Sequence, residues 1–541
     1  MPVVTHRLHG RTALLLALVC AAFPERLQAQ APDAGFLEVP VEHYGHERIV
    51  AGPNLPAGLG LTTTPPYAAA DVTISGNGTR LWFVLYNHFQ NPRHQVFSIG
   101  VDGSSPAQSA LSGTVNDPGT TLNGLFVRTD LDGDIAMLDS TTQFWRILGA
   151  GAPMQLMFDL TGPNYALADG QQRLTHDGTL GVFLDRWQLR VFRVNLTAPS
   201  PAATPIATAA FFSYLGMNPR SMFGFDLSAD GGHWYVGAEN HDYGIGRNRY
   251  WINHGSGTVA PTRVVENIGD DAQPVSRDQQ VSDDGSRFGY CVDGVTGVPA
   301  SCFLQSPGSA ARVHLHDGAR YTGRMVLADD GSRVYLLSDP QTGNPYGYFQ
   351  SADALERRVA GSQRLLGSPN PFVLRAQLSD DGRTLVGPSS LGVYVLRDGE
   401  PAPTDFTRAL RVLYRYDPGT DELVTRVQIA DGGRGLERIY TLPLWRGLEP
   451  TRYLGEVENP LYWDRSGGGV NWSTTFTPVD GHSGWHERRM PLQGKLGRLN
   501  ADFQFRLVVV EGSGHRTALY DVTPRPYVHF DGFETAPTFT P

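Results

Sequence analysis

An all-β fold of many short strands is predicted by three features of the sequence. Glycine (62) and proline (38) are spread along all 541 residues, which means many turns and so many short strands. Hydrophobic content of 40% and charged content of 18% place the chain among globular proteins, and its length calls for more than one core. One turn also recurs: "QLSDDGRTLVG" (Gln377 to Gly387), "QVSDDGSRFGY" (Gln280 to Tyr290) and "VLADDGSRVYL" (Val326 to Leu336) are near copies.

Weaker copies precede these three. "ISGNGTRLWFV" turns at Gly78, "VRTDLDGDIAML" at Gly133, "RLTHDGTLGVFL" at Gly178 and "DLSADGGHWYVG" at Gly231. With Gly285, Gly331 and Gly382 the gaps are 55, 45, 53, 54, 46 and 51 residues. A period of about 50 residues with strands and turns is the signature of a β-propeller. In each copy Asp-Gly or Asn-Gly supplies the positive backbone angle of a tight hairpin, and the Ser or Asp before it can cap the turn. A four-stranded blade buries both faces only against neighbouring blades. Seven turns therefore predict a seven-bladed propeller over residues 61–430. "VLYRYDPGTDELVTRVQI" (Val412 to Ile429) reads as one more hairpin, completing the last blade with help from "FLEVPVEHY" (Phe36 to Tyr44) in the segment 30–60.

The start of the chain reads differently. Arg7 and Arg11 precede the apolar run "ALLLALVCAAF", and small residues follow at Ala29 and Ala31. This is the pattern of a secretory signal peptide over residues 1–29, too short to span a bilayer. The expected location is extracytoplasmic, periplasmic or secreted, with no membrane span. Cys291 and Cys302, 11 residues apart with Gly, Pro and Asp between them, read as facing positions of a hairpin, able to pair as a disulfide in an oxidising compartment.

After about Asp431 the repeat ends. Residues 431–528 carry strands between Gly-rich loops, which predicts a C-terminal β-sandwich, and 529–541 is a tail. Trp445, Trp463, Trp472 and Trp485 read as its core, with stacking on sugar as the alternative.

Several residues carry resemblances. The Asp-Gly turns at Gly285, Gly331 and Gly382 resemble those of Tol-type periplasmic propellers and related WD-like bacterial repeats. "YRYDPGTDELVTRVQI" is similar to a hairpin of YVTN-type surface-layer propellers. "FQFRLVVV" followed by "ALYDV" resembles the closing strands of jelly-roll accessory modules on bacterial secreted hydrolases. There the usual pair of aspartates is reduced to Asp521. "HFDGFE" (His529 to Glu534) resembles an ending of exported proteins in some Gram-negative bacteria. The resemblances imply architecture and export; such propellers bind proteins, carry enzymes or act as scaffolds.

Chemistry is harder to read. No Gly-x-Ser-x-Gly nucleophile turn, no zinc-protease helix motif and no phosphate-cradling loop is present. A formal charge of −10 argues against nucleic acid as a partner. "TDLDGDIAMLD" offers Asp130, Asp132, Asp134 and Asp139 as candidate calcium ligands, since calcium wants several hard oxygens from one tight loop. The simpler role of these residues is to cap a repeat turn. "GAENHDYGIGRNRYWINHG" reads as a long rim loop in which His241, Asp242 and Arg247 could hold a ligand. The expectation is an exported, non-catalytic binding or scaffold protein for a protein or carbohydrate ligand. No cofactor beyond calcium is implied. The alternative is a propeller hydrolase or lyase on polysaccharide or a small ester, assisted by calcium.

Overall fold

The computed structural model describes residues 36–55, 58–63, 67–87, 93–110, 125–140, 143–159, 167–185, 190–207, 221–242, 247–256, 262–269, 280–292, 300–318, 325–328, 331, 333–337, 353–358, 363–367, 376–389, 392–445, 476–480, 482–491 and 503–522. These residues are strands and turns, with no helix among them, so none is long and apolar enough to cross a membrane. The signal-peptide segment 1–29, the tail 529–541, Trp463 and Trp472 lie outside the described residues.

Six four-stranded antiparallel meanders follow one another along the chain. Their innermost strands are Ala68–Ile74, Phe126–Thr129, Leu167–Leu174, Ser221–Leu227, Gln280–Val281 and Met325–Leu327. A seventh, eight-stranded sheet begins with Gln377–Leu378, Thr384–Ser389 and Gly392–Asp398, its fourth strand is Val41–Gly52 from near the start of the chain, and it runs on through Arg516–Val522, Phe503–Glu511 and Leu436–Trp445, with Leu61–Thr62 beside Val41–Gly52. Successive innermost strands touch, and the seventh touches the first. The sheets thus form a closed propeller ring, and a strand from the beginning of the chain adds the fourth strand to those of residues 377–398.

Apolar faces of adjacent sheets hold the ring together. Trp82, Val84, Val127 and Leu138 share one cluster between the first and second sheets. Phe144 and Phe183 meet between the second and third, with centroids 4.3 Å apart. Tyr235, Ile252, Phe288 and Tyr290 join the fourth and fifth. Each buried side chain of this size contributes about 1.5–3 kcal/mol. Polar ties add direction. Asp71 accepts hydrogen bonds from the Val127 amide at 2.9 Å and Arg128 Nη1 at 3.0 Å, and Asp226 joins Arg173 and the Val281 amide across three successive innermost strands.

The hairpin Arg408–Asp417 and Glu422–Ala430 lies elsewhere than expected. It belongs to a five-stranded sheet with Leu37–Glu38, Trp485–Pro491 and Thr477–Pro478. Its Val412, Tyr414, Leu423 and Val427 face Ile439, Leu507, Val509, Tyr520 and Val522 across one apolar core. The turn "DPGT" makes a hairpin in either setting. What moves it out of the ring is that Val41–Gly52 occupies the fourth position of the seventh sheet. The hairpin thus packs with the C-terminal strands and not in the ring. Trp485 is buried beside Phe36 and Leu413. Val41–Gly52 also pairs along its other edge with Arg516–Val522, so one strand belongs to both parts of the molecule.

Cys291 and Cys302 are direct register partners in the fifth sheet. Facing residues of an antiparallel pair have Cα atoms about 4.5–5.5 Å apart, within the span a disulfide bridges.

Candidate functional site: the axial ring of turns

The seven turns, Asn-Gly in the first and Asp-Gly in the others, join the first strand of each sheet to the second, so all of them lie at one end of the ring. Their described residues share one backbone plan. Gly78, Gly133, Gly178, Gly231, Gly285, Gly331 and Gly382 all have positive φ. In the fifth turn the Gly285 amide donates to Ser282 O at 2.8 Å. Ser282 Oγ donates to Asp284 Oδ1 at 2.8 Å, and that same oxygen accepts from the Ser286 amide at 2.8 Å. Thr175 with Asp177, Ser228 with Asp230, and Ser379 with Asp381 repeat the arrangement. These hydrogen bonds favour the ionised form and hold the carboxyls of Asp177, Asp230 and Asp284 below the usual aspartate range.

The residue between the Ser or Thr and the capping Asp has another role. Its backbone bonds to the neighbouring turn. Leu131 N donates to His176 O at 3.0 Å, His176 N to Ala229 O at 2.9 Å, and Ala229 N to Asp283 O at 3.0 Å. Asp380 N donates to Gly76 O at 2.9 Å, and in the first turn it is the capping residue, Asn77, whose N donates to Leu131 O at 3.0 Å. Among the described residues this girdle links the seventh turn to the first and the first through to the fifth. Side chains at the same position therefore converge on the axis.

Three of them meet. His176 Nε2 lies 3.2 Å from Asp283 Oδ1 and 3.4 Å from Asp380 Oδ2. They come from the third, fifth and seventh turns, which are not neighbours in the ring, so they meet across its axis. Solvent reaches all three, with side chains 28%, 36% and 23% exposed. Two of the other turns leave room: Ala229 is small, and Gly76 has no Cβ, which would fall 2.0 Å from Asp380 Oδ2. Among the described residues, these are the His, Cys, Asp and Glu side chains that gather three or more ligand atoms within 4.8 Å of one another.

Asp130, Asp132, Asp134 and Asp139 are not gathered in this way. Asp130 takes the serine position of the second turn, where its Oδ1 accepts from the Ile135 amide at 3.2 Å, and burial pushes its carboxyl up. Asp132 takes the capping position, and its Oδ1 accepts from Asn77 Nδ2 at 3.3 Å. Asp134 is exposed beside the turn. Asp139 ends the strand Ile135–Asp139, which at about 3.3 Å per residue carries it away from the turn.

His241, Asp242 and Arg247 lie at the opposite end of the ring. The expected long loop is a hairpin: His233–Asp242 pairs with Arg247–Ser256, Asp242 facing Arg247 and His241 facing Asn248. Burial of Trp234, Val236, Ala238 and Ile252 drives this stretch into strands. Single-motif reading missed His176, Asp283 and Asp380. Aligning the seven turns on their glycines exposes the signal, because a capping Asp already satisfies the turn and the residue before it is not needed there.

No protein-family profile matches this sequence, and no curated protein matches it. Solved structures of similar fold include TolB from Acinetobacter baumannii, with 11% identity, TM-score 0.34, and coverage of 60% of this chain and 65% of that one. Hydrazine synthase of Kuenenia stuttgartiensis has 12% identity and TM-score 0.39 over 64% of this chain and 99% of that one. The Dos1 propeller has 10% identity and TM-score 0.37 over 66% of this chain and 95% of that one. The likeness is one of fold alone.

Proposed function

We propose that this chain is an exported binding scaffold whose propeller holds a protein or carbohydrate ligand at the mouth of its channel. The observation that carries this reading is the axial end of the ring, where a repetitive, self-capped set of turns presents His176, Asp283 and Asp380 to solvent at one point. Concave places where several elements meet are where ligands bind. The basic and apolar start of the chain supports export, and the facing register of Cys291 and Cys302 supports a disulfide in that compartment. A second reading, a propeller hydrolase or lyase on polysaccharide or a small ester, draws on the same cluster, since an imidazole between two carboxylates can move a proton.

The test screens the purified chain against an oligosaccharide array and against purified exported proteins of its source. The expected result is a saturable ligand that the H176A/D283A/D380A variant no longer holds. Turnover of a polysaccharide or ester that the same variant loses would replace this reading with the second one.

A further inference from the structure

The geometry points to a divalent transition-metal site of the zinc class on the propeller axis, held by His176 Nε2, an oxygen of Asp283 and an oxygen of Asp380. The inference deepens the reading of the axial mouth as the binding site and rests on that reading only for the role of the metal.

Spacing is the first argument. A charge-assisted hydrogen bond between imidazolium and carboxylate is about 2.7–2.9 Å long. Here the two contacts are 3.2 and 3.4 Å. Ligand atoms about 2.0–2.1 Å from a tetrahedral ion stand about 3.3 Å from one another. The two observed separations match two edges of such a tetrahedron, and the third pair of ligand atoms lies within 4.8 Å.

Ligand type is the second argument. One imidazole with two carboxylates suits zinc, manganese, iron or cobalt. Calcium takes six to eight oxygens and is a poor match for a site with an imidazole. The class of ion therefore differs from the calcium expected of an aspartate-rich turn.

Position is the third argument. Three protein ligands leave a fourth place, and solvent reaches the cluster, so an ion here keeps a position for water or for a carboxylate or hydroxyl of a ligand. The ligands arrive on turns fixed by their own caps and by the backbone girdle, so the site needs no rearrangement to form. Gly76 provides the space that Asp380 occupies.

The test is titration of the chelator-stripped full chain with Zn²⁺ by calorimetry, with Co²⁺ absorption as a report on coordination. One equivalent of Zn²⁺ is expected, with Ca²⁺ producing no heat. H176A, D283N and D380N should each weaken Zn²⁺ by at least about tenfold and abolish the tetrahedral cobalt band. D417N removes the same charge from the hairpin outside the ring and should leave affinity unchanged. H254A dismantles a different imidazole pair, His233 Nδ1 and His254 Nε2 at 3.0 Å, and should also leave affinity unchanged. No uptake, or uptake lost in H254A and retained in H176A, overturns the inference. Ligand capture that persists without metal uptake would leave the binding-scaffold reading standing and remove only the ion.

Discussion

Two aspartates stand side by side in the fifth turn and again in the seventh, and they do different work. Asp284 and Asp381 fold back on their own turns, each taking a serine hydroxyl and a backbone amide. Asp283 and Asp380 leave the turn and meet His176 on the axis. The outer side chain caps the turn, and the inner one does not. The inner position therefore varies among the turns, as Gly76, Leu131, His176 and Ala229, and what constrains it is the neighbour across the axis, as Asp380 constrains Gly76. Function enters a repetitive scaffold where the local structure makes no demand on the side chain.

The comparison is broken most severely at the turn glycine. Gly285 has φ +67°, and a Cβ there would lie 2.6 Å from the His233 ring. G285A should cost about 2 kcal/mol or more, seen as a lower melting temperature, because the left-handed angle alone costs roughly 1–2 kcal/mol. An unchanged melting temperature would mean that the turn adapts.

An acid titration separates the caps from a second set of groups. His46, on the strand shared by both parts of the molecule, is held down at about 4, by burial first and then by His43. A depressed imidazole leaves stability full above pH 6.5, and stability falls as pH drops from 6.5 toward 4, because the unfolded chain binds the proton more tightly. The His46 share of the loss should reach roughly 2 kcal/mol by pH 4.5, so H46F should shrink this limb, and the other buried imidazoles, His43 among them, keep the remainder. The capping aspartates act in a lower window. Their depressed carboxyls stabilise the fold above an unfolded value of about 3.9, and that stability is lost as pH falls below it. Denaturation curves from pH 7 to pH 2.5 should show two limbs, only the upper one sensitive to H46F.

Smaller effects sharpen the contrast. D284A should cost about 1 kcal/mol through the lost cap. D284N should cost less, since Asn77 already caps the first turn, its Oδ1 accepting from Ser75 Oγ at 2.8 Å and the Thr79 amide at 3.0 Å. D283A should change stability by no more than about 0.5 kcal/mol in the absence of metal. Thermal melts of the three variants in chelator check the order.

The ring was legible because its turns repeat. Glycines at the predicted positions adopt the positive φ that the Asp-Gly pairs call for. The hairpin Arg408–Asp417 with Glu422–Ala430 was legible as a hairpin but not as part of another sheet, since local sequence carries turn chemistry and not the partner of an outer edge. The place of Val41–Gly52 inside one eight-stranded sheet, between Gly392–Asp398 and Arg516–Val522, depends on pairing over hundreds of residues. The axial cluster joins residues 97 and 107 positions apart along the chain, so no spacing motif could announce it. The aspartates of "TDLDGDIAMLD" looked like a metal loop because capping and calcium binding draw on the same residue type.

The most direct test of the division between the two aspartates is the melting temperature of D284A/D381A and of D283A/D380A, each with Zn²⁺ and with chelator. The account predicts that D284A/D381A melts lower but is still raised by Zn²⁺, whereas D283A/D380A melts like the unsubstituted chain in chelator and is not raised. Equal losses of stability, with the Zn²⁺ response alike in both, would show that the inner and outer positions do the same work and would contradict the account.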